Sequence, residues 1–223
     1  ESGGIEGLEI AYSLDLGCYQ VTDDVRRETL ATLDALRDAG ANVVEVSADW
    51  AAEAIGAAGA YGDHLYAHLF SNAVNESPEL VCDYTPYFAE MTATVTGADA
   101  HRAQETAGRV WWEHLGPLFK RFDVFVCPTI ALHEVPADMR PWDDRLRVND
   151  IPIDVNDSTM TILFNMFSRC PVLALPSGYT DRGMPTSVQI AGRPFDDKTV
   201  FRVAGVLESA RPWFDGAQHR PSP

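Results

Sequence analysis

The 223-residue sequence predicts an α/β fold, an α/β/α sandwich around a mixed sheet, from three observations. A strand–helix–strand pattern fills residues 8–46, and a crossover of that length joins parallel strands. The apolar run Val124-Phe125-Val126-Cys127 stops at Pro128 and reads as a strand buried on both faces. Two more apolar runs, 172–175 and 187–191, flank the turn sequence Asp181-Arg182-Gly183, as strands of a hairpin do.

Leu8-Glu9-Ile10-Ala11-Tyr12 suits the first strand. Thr22 is placed to N-cap the next helix, with Asp23 and Asp24 in the first turn where the helix dipole favours negative charge. Val25, Thr29, Leu33 and Leu36 recur at helical spacing, and Leu30 widens that face toward the core. Gly40 supplies the stop, and Asn42-Val43-Val44-Glu45-Val46 returns as the second strand. Residues 49–121 are mostly helical, with Gly56, Gly59, Gly62, Pro78 and Pro86 expected to interrupt.

The clearest long helix covers 99–119, with Ala103, Ala107, Val110, Trp111, His114, Leu115 and Leu118 as its apolar stripe. After the strand at 122–127, residues 129–156 hold three prolines and little periodicity, as a functional loop or lid does. A short helix is expected near Asp157, ahead of the hairpin. Asp196 or Asp197 caps a last helix through Phe201, Val203, Ala204 and Leu207, and residues 218–223 read as a frayed tail.

Composition narrows the function. Thirty-three acidic against 17 basic residues give a net charge of −16, which repels phosphate backbones and argues against nucleic-acid binding. No apolar run approaches the roughly 20 residues that span a bilayer, so no membrane association is expected. The chain opens Glu1-Ser2-Gly3-Gly4 without an initiator Met, read as a cut site or an artificial boundary, and no secretion signal follows. Cys18, Cys82, Cys127 and Cys170 are widely spaced and are expected as free thiols in a reducing cytoplasm.

Candidate chemistry is sparse. No G-x-S-x-G elbow is present, and the two lysines, Lys120 and Lys198, have Pro117 and Phe195 three residues ahead where Ser–Lys chemistry needs serine. Cys127 ends an apolar strand, where α/β sites form, but a buried cysteine is more often a small hydrophobe. His64 and His68 share a helix face, yet Leu65 stands where a metalloprotease has glutamate, so no metal is expected. The spacing of Gly3, Gly4 and Gly7 excludes a dinucleotide fingerprint, and no cofactor is expected. Trp111 and Trp112 point about 100° apart on a helix, so at most one faces the core.

Three blocks together carry a resemblance. They are Leu8 through Gly17 (Leu-Glu-Ile-Ala-Tyr-Ser-Leu-Asp-Leu-Gly), Asp123-Val124-Phe125-Val126-Cys127-Pro128-Thr129, and the stretch 164–208. The last includes Phe164-Asn165, Pro171-Val172-Leu173-Ala174-Leu175-Pro176-Ser177-Gly178, Gly183-Met184-Pro185 and Ser187-Val188-Gln189-Ile190-Ala191-Gly192-Arg193-Pro194-Phe195-Asp196-Asp197. In order and spacing they resemble the carboxyl-terminal half of the amidase signature family, over residues 1–217. Asn165-Met166-Phe167-Ser168-Arg169-Cys170-Pro171 looks most like members acting on small linear or cyclic amides, such as 6-aminohexanoate cyclic-dimer (nylon-oligomer) hydrolases.

The resemblance implies amide hydrolysis by a serine, a second serine in a cis peptide, and a lysine. The family carries these in its amino-terminal half, so no residue here inherits a catalytic role. By position, Asn165, Thr129, Tyr61 and Cys127 are the substrate-pocket candidates, with Gln189 a structural hydrogen-bonding residue beside them. Gly178, Gly183 and Pro185 are read as turn geometry. The expected partners are the amino-terminal half and a small-molecule amide, with a homodimer as a further option. The rival expectation is a stand-alone, non-catalytic α/β binding or assembly module.

Overall fold

A computed structural model describes residues 3–132, 134–148, 150–153 and 158–212. Strands β1 (Glu9–Tyr12), β2 (Asn42–Glu45), β3 (Val124–Pro128), β6 (Val172–Tyr179) and β7 (Pro185–Gly192) form one sheet in the order β2-β1-β3-β7-β6. β1 is parallel to β2 and β3, while β7 is antiparallel to both β3 and β6, so the sheet is mixed. The short strands β4 (Arg147–Val148) and β5 (Ile151–Pro152) pair separately.

Strand alternation divides the core into two layers. From β3, Val124 and Val126 join Ile10, Val188 and Ile190 under α1 (Asp23–Asp38) and α6 (Asp197–Ala210). Phe125 and Cys127 point the other way, toward α2 (Ala51–Glu76), α4 (Gly97–Val110) and the 3-10 helix Met160–Met166. With α3 (Thr85–Thr92) and α5 (Gly116–Arg121), helices cover both faces, as expected for the α/β/α sandwich.

Helix ends follow the sequence closely. α1 stops in a Schellman motif, in which Gly40 N–H bonds the Arg37 carbonyl at 2.9 Å and Ala41 N–H the Leu36 carbonyl at 3.1 Å. Gly40 takes φ +90°, the left-handed geometry that this end requires. Thr22 sits at the N-cap, but its hydroxyl makes no capping bond and is buried without a partner among the described residues. Asp196 caps α6 through Thr199 N–H.

Several expectations change. α2 runs unbroken through Gly56, Gly59 and Gly62, because Ala51, Ala54 and Ala58 bury against the core and packing outweighs local propensity. The helix expected at 99–119 begins at Gly97 behind a Thr96–Asp99 capping box and passes through a π-helical turn, Trp111–Leu115. Residues 129–156 include a small core of Leu132, Leu146 and Val148, so the described part is more ordered than a bare lid. Leu30 and Phe201 are exposed, each lying off the stripe that its helix buries. Gly178 lies within β6, where the Glu28 carboxylate occupies the space a Cβ would need, and Pro185 opens β7; Gly183, at φ +82°, does make the turn. Asp157 and the tail 218–223 lie outside the described residues.

Candidate functional site

The carboxyl ends of the parallel strands β1 and β3 face the beginning of β7, and here the chain gathers polar groups. Thr129 follows β3; its N–H bonds the Ser187 carbonyl at 3.1 Å and its hydroxyl pairs with the Ser187 hydroxyl. The Thr129 carbonyl accepts from Met160 N–H at 3.0 Å, which starts the 3-10 helix against the strand end. Gln189, almost fully buried, donates its amide Nε2 to the carbonyls of Pro128 at 3.1 Å and Met160 at 3.0 Å. Its Oε1 has no hydrogen-bond partner among the described residues. Tyr19 adds a bond from its hydroxyl to the Thr159 carbonyl at 2.9 Å, and Ala131 N–H reaches the Ser158 carbonyl at 2.8 Å.

This lattice joins Cys127, Thr129 and Gln189. Asn165 is exposed near the far end of the 3-10 helix, about 10 Å beyond Met160 at roughly 2.0 Å rise per residue. Tyr61 lies partly buried on α2, which packs along that 3-10 helix. Nearby on α2, burial raises the Asp63 carboxyl above the usual carboxylate range. Of the four pocket candidates, Thr129 and Cys127 are therefore adjacent, and Asn165 and Tyr61 stand on neighbouring elements.

Cys127 is sealed inside the core, and burial drives its thiol far above the ordinary range, against a smaller opposing effect of the Gln189 amide. A neutral buried thiol is inert as a nucleophile. Cys170 is likewise pushed up by burial, to about 11. His64 and His68 are exposed, and among the described residues no group of three metal-ligating side chains is assembled.

Ser187, Ser13 and Tyr19 were not singled out in the sequence. Ser13 is buried and accepts Leu16 N–H at 3.0 Å, shaping the turn after β1. Only the pairing of β3 with β7 brings Ser187 to Thr129, residues 58 apart, so no local pattern could have signalled it.

These features define an α/β protein whose polar cluster closes the carboxyl ends of its parallel strands, where sites of open α/β sheets form. The sequence matches the family described as Amidase over residues 4–201, and the chain belongs to that family. It is 28% identical to the acylamidase of Rhodococcus erythropolis, across 96% of this chain and 44% of that protein. It is 25% identical to an amidase of Pseudomonas putida, across 94% of this chain and 44% of that one. The chain thus spans less than half the length of these relatives. Its fold matches a bacterial aryl acylamidase of the amidase signature family (TM-score 0.71, 20% identity, 98% of this chain and 47% of that one). It also matches 6-aminohexanoate cyclic dimer hydrolase bound to substrate (TM-score 0.66, 20% identity, 95% of this chain and 47% of that one).

Proposed function

We propose that this chain is the carboxyl-terminal portion of an amide hydrolase and builds the wall and scaffold of a pocket whose reacting groups stand on an amino-terminal half. The observation that carries the reading is the position of the two lysines in a chain of this family. Lys120 precedes β3 and Lys198 follows β7, both exposed and both beyond the sheet end opposite Thr129. A Ser–cisSer–Lys set therefore has no lysine to draw on at the candidate site.

In the joined enzyme a serine attacks the amide carbon while a neutral lysine accepts its proton through the second serine. The amine leaves with a proton, and water releases the acid from the serine ester. Backbone N–H groups of the amino-terminal loop hold the oxyanion. Proton transfer contributes roughly 10² to 10⁴-fold and one oxyanion donor about 10² to 10³-fold. This chain holds substrate: Asn165 can both donate to and accept from an amide, Thr129 stands just past the end of β3, and Tyr61 supplies an aromatic wall. Cys127 backs Thr129 from within the core. Small linear or cyclic amides are the substrate class, supported by the resemblance of residues 165–171 and by the fold shared with the cyclic dimer hydrolase.

The test is complementation. The purified chain should leave an acyl p-nitroanilide and a cyclic amide intact, and should gain turnover when combined with its amino-terminal half. Turnover by the chain alone after purification under denaturing conditions and refolding would overturn the proposal. A stable fold that gains nothing on mixing would favour the stand-alone binding module.

A further inference from the structure

A cleft of about 310 Å³ opens at the other end of the sheet. Trp111, Trp112, Phe119 and Pro194 wall it, and Lys120 and Arg193 contribute cations to its lining. Arg193 directly follows β7, whose last residue pairs with Val124 at the start of β3. Thr129 lies past the other end of β3, about 16 Å away at roughly 3.3 Å per residue. The cleft is therefore distinct from the candidate substrate site.

Two irregular stretches of backbone flank it. The Trp111–Leu115 turn is π-helical, a geometry frequent at functional sites. Phe195, beside Pro194, is held at φ +64°, left-handed backbone that a bulky residue adopts only under constraint. Core packing does not account for either aromatic side chain: Trp112 is 82% exposed and Phe195 is 76% exposed.

The charges define a ligand. Arg193 is fixed in place, its Nε donating to the Phe119 carbonyl at 2.8 Å and its Nη2 facing Asp123 Oδ1 at 2.9 Å. Asp123 thus offsets its charge. Lys120 is exposed and has no ion pair among the described residues. A free ammonium beside aromatic walls suits a flat apolar body with a single negative charge. We propose that this cleft binds a small aromatic carboxylate, its ring against the indoles of Trp111 and Trp112 and its carboxylate on Lys120.

Benzoate is the probe, titrated into the purified chain by calorimetry with the indole N–H signals of Trp111 and Trp112 followed by NMR. Benzamide, of the same shape without the charge, is the control. Benzoate should bind saturably and shift both indole signals, with benzamide at least about tenfold weaker, since the charge-assisted bond is lost. Lys120→Met should erase that discrimination, and Trp112→Ala should weaken both ligands. Both side chains are exposed, so the variants should melt with the parent chain. Equal binding of benzoate and benzamide, or benzoate affinity unchanged in Lys120→Met, would overturn the proposal. So would indole signals that ignore benzoate and shift only when an amidase amino-terminal half is added, which would make this face a protein contact. None of these readings depends on turnover, so the amidase proposal and this one fail separately.

Discussion

The side-chain amide of Gln189 bonds the carbonyl of Pro128 at 3.1 Å, fastening the middle of β7 to the last residue of β3. Its second N–H reaches Met160, so one buried group holds two strands and the 3-10 helix in register. Replacing it with Leu would remove both bonds from this buried strand end. A buried unsatisfied group costs about 1–3 kcal/mol, so Gln189→Leu should destabilise the chain by about 2–4 kcal/mol in urea unfolding. Gln189→Glu should be worse at neutral pH, because a carboxylate would face two carbonyl oxygens. Either variant as stable as the parent would mean that the lattice at this strand end is not structural.

Gly56 sits in the interior of α2, and a Cβ built there meets nothing within 4 Å among the described residues beyond its own helix backbone. The helix therefore bears the entropic penalty of glycine without using its small size. Gly56→Ala should raise stability by up to about 1 kcal/mol, read as a higher melting temperature. A fall in melting temperature would show that the residue is close-packed or that α2 is not continuous here.

The mixed sheet was legible because its signals are local: helical periodicity in α1, an apolar run in β3, and a turn between β6 and β7. Leu30 and Phe201 misled because a helical stripe does not fix which flank meets the sheet. The glycines of α2 misled for a related reason, since burial of Ala51, Ala54 and Ala58 is a tertiary fact. At the candidate site, Thr129 and Cys127 were visible as the end of a buried strand. Ser187 was not, because strand pairing alone brings it there. The π turn at Trp111 was hidden within an unbroken helical pattern.

The four thiols should divide by burial. Cys18 and Cys82 are exposed, whereas Cys127 and Cys170 are buried. Native protein should release colour from Ellman's reagent for two thiols, and unfolded protein for four. Cys18 should be slow, because partial burial and then Asp15 raise its pKa and thin its thiolate. The buried pair should also shape alkaline stability. Their folded pKa values are raised, so their contribution is intact below the unfolded value of 9.0 and is lost as pH rises beyond it. For Cys170 the loss spans pH 9 to about 11, and Cys170→Ala should flatten the stability slope across that window. An unchanged slope would mean that the side chain is not desolvated.

Gly116 marks the exit from the π turn, where its N–H bonds the Trp111 carbonyl, five residues back instead of four. That longer loop swings the carbonyl over Cα: a Cβ on Gly116 would stand 2.9 Å from the Trp111 oxygen. The obstacle is backbone, so it cannot turn aside as a side chain would. Gly108, two residues before the end of α4, meets nothing among the described residues within 4 Å of the same position beyond the adjoining turns of its own helix backbone. The two glycines should therefore respond oppositely to one substitution. Gly108→Ala should be neutral or stabilising by up to about 1 kcal/mol. Gly116→Ala should destabilise by about 1–3 kcal/mol, as overpacking does. It should also perturb the indole N–H signals of Trp111 and Trp112, because relieving the clash means unwinding the turn that presents them. Equal stabilities for the two variants would remove the steric reason for glycine at 116 and, with it, the case that the π turn is fixed by sequence.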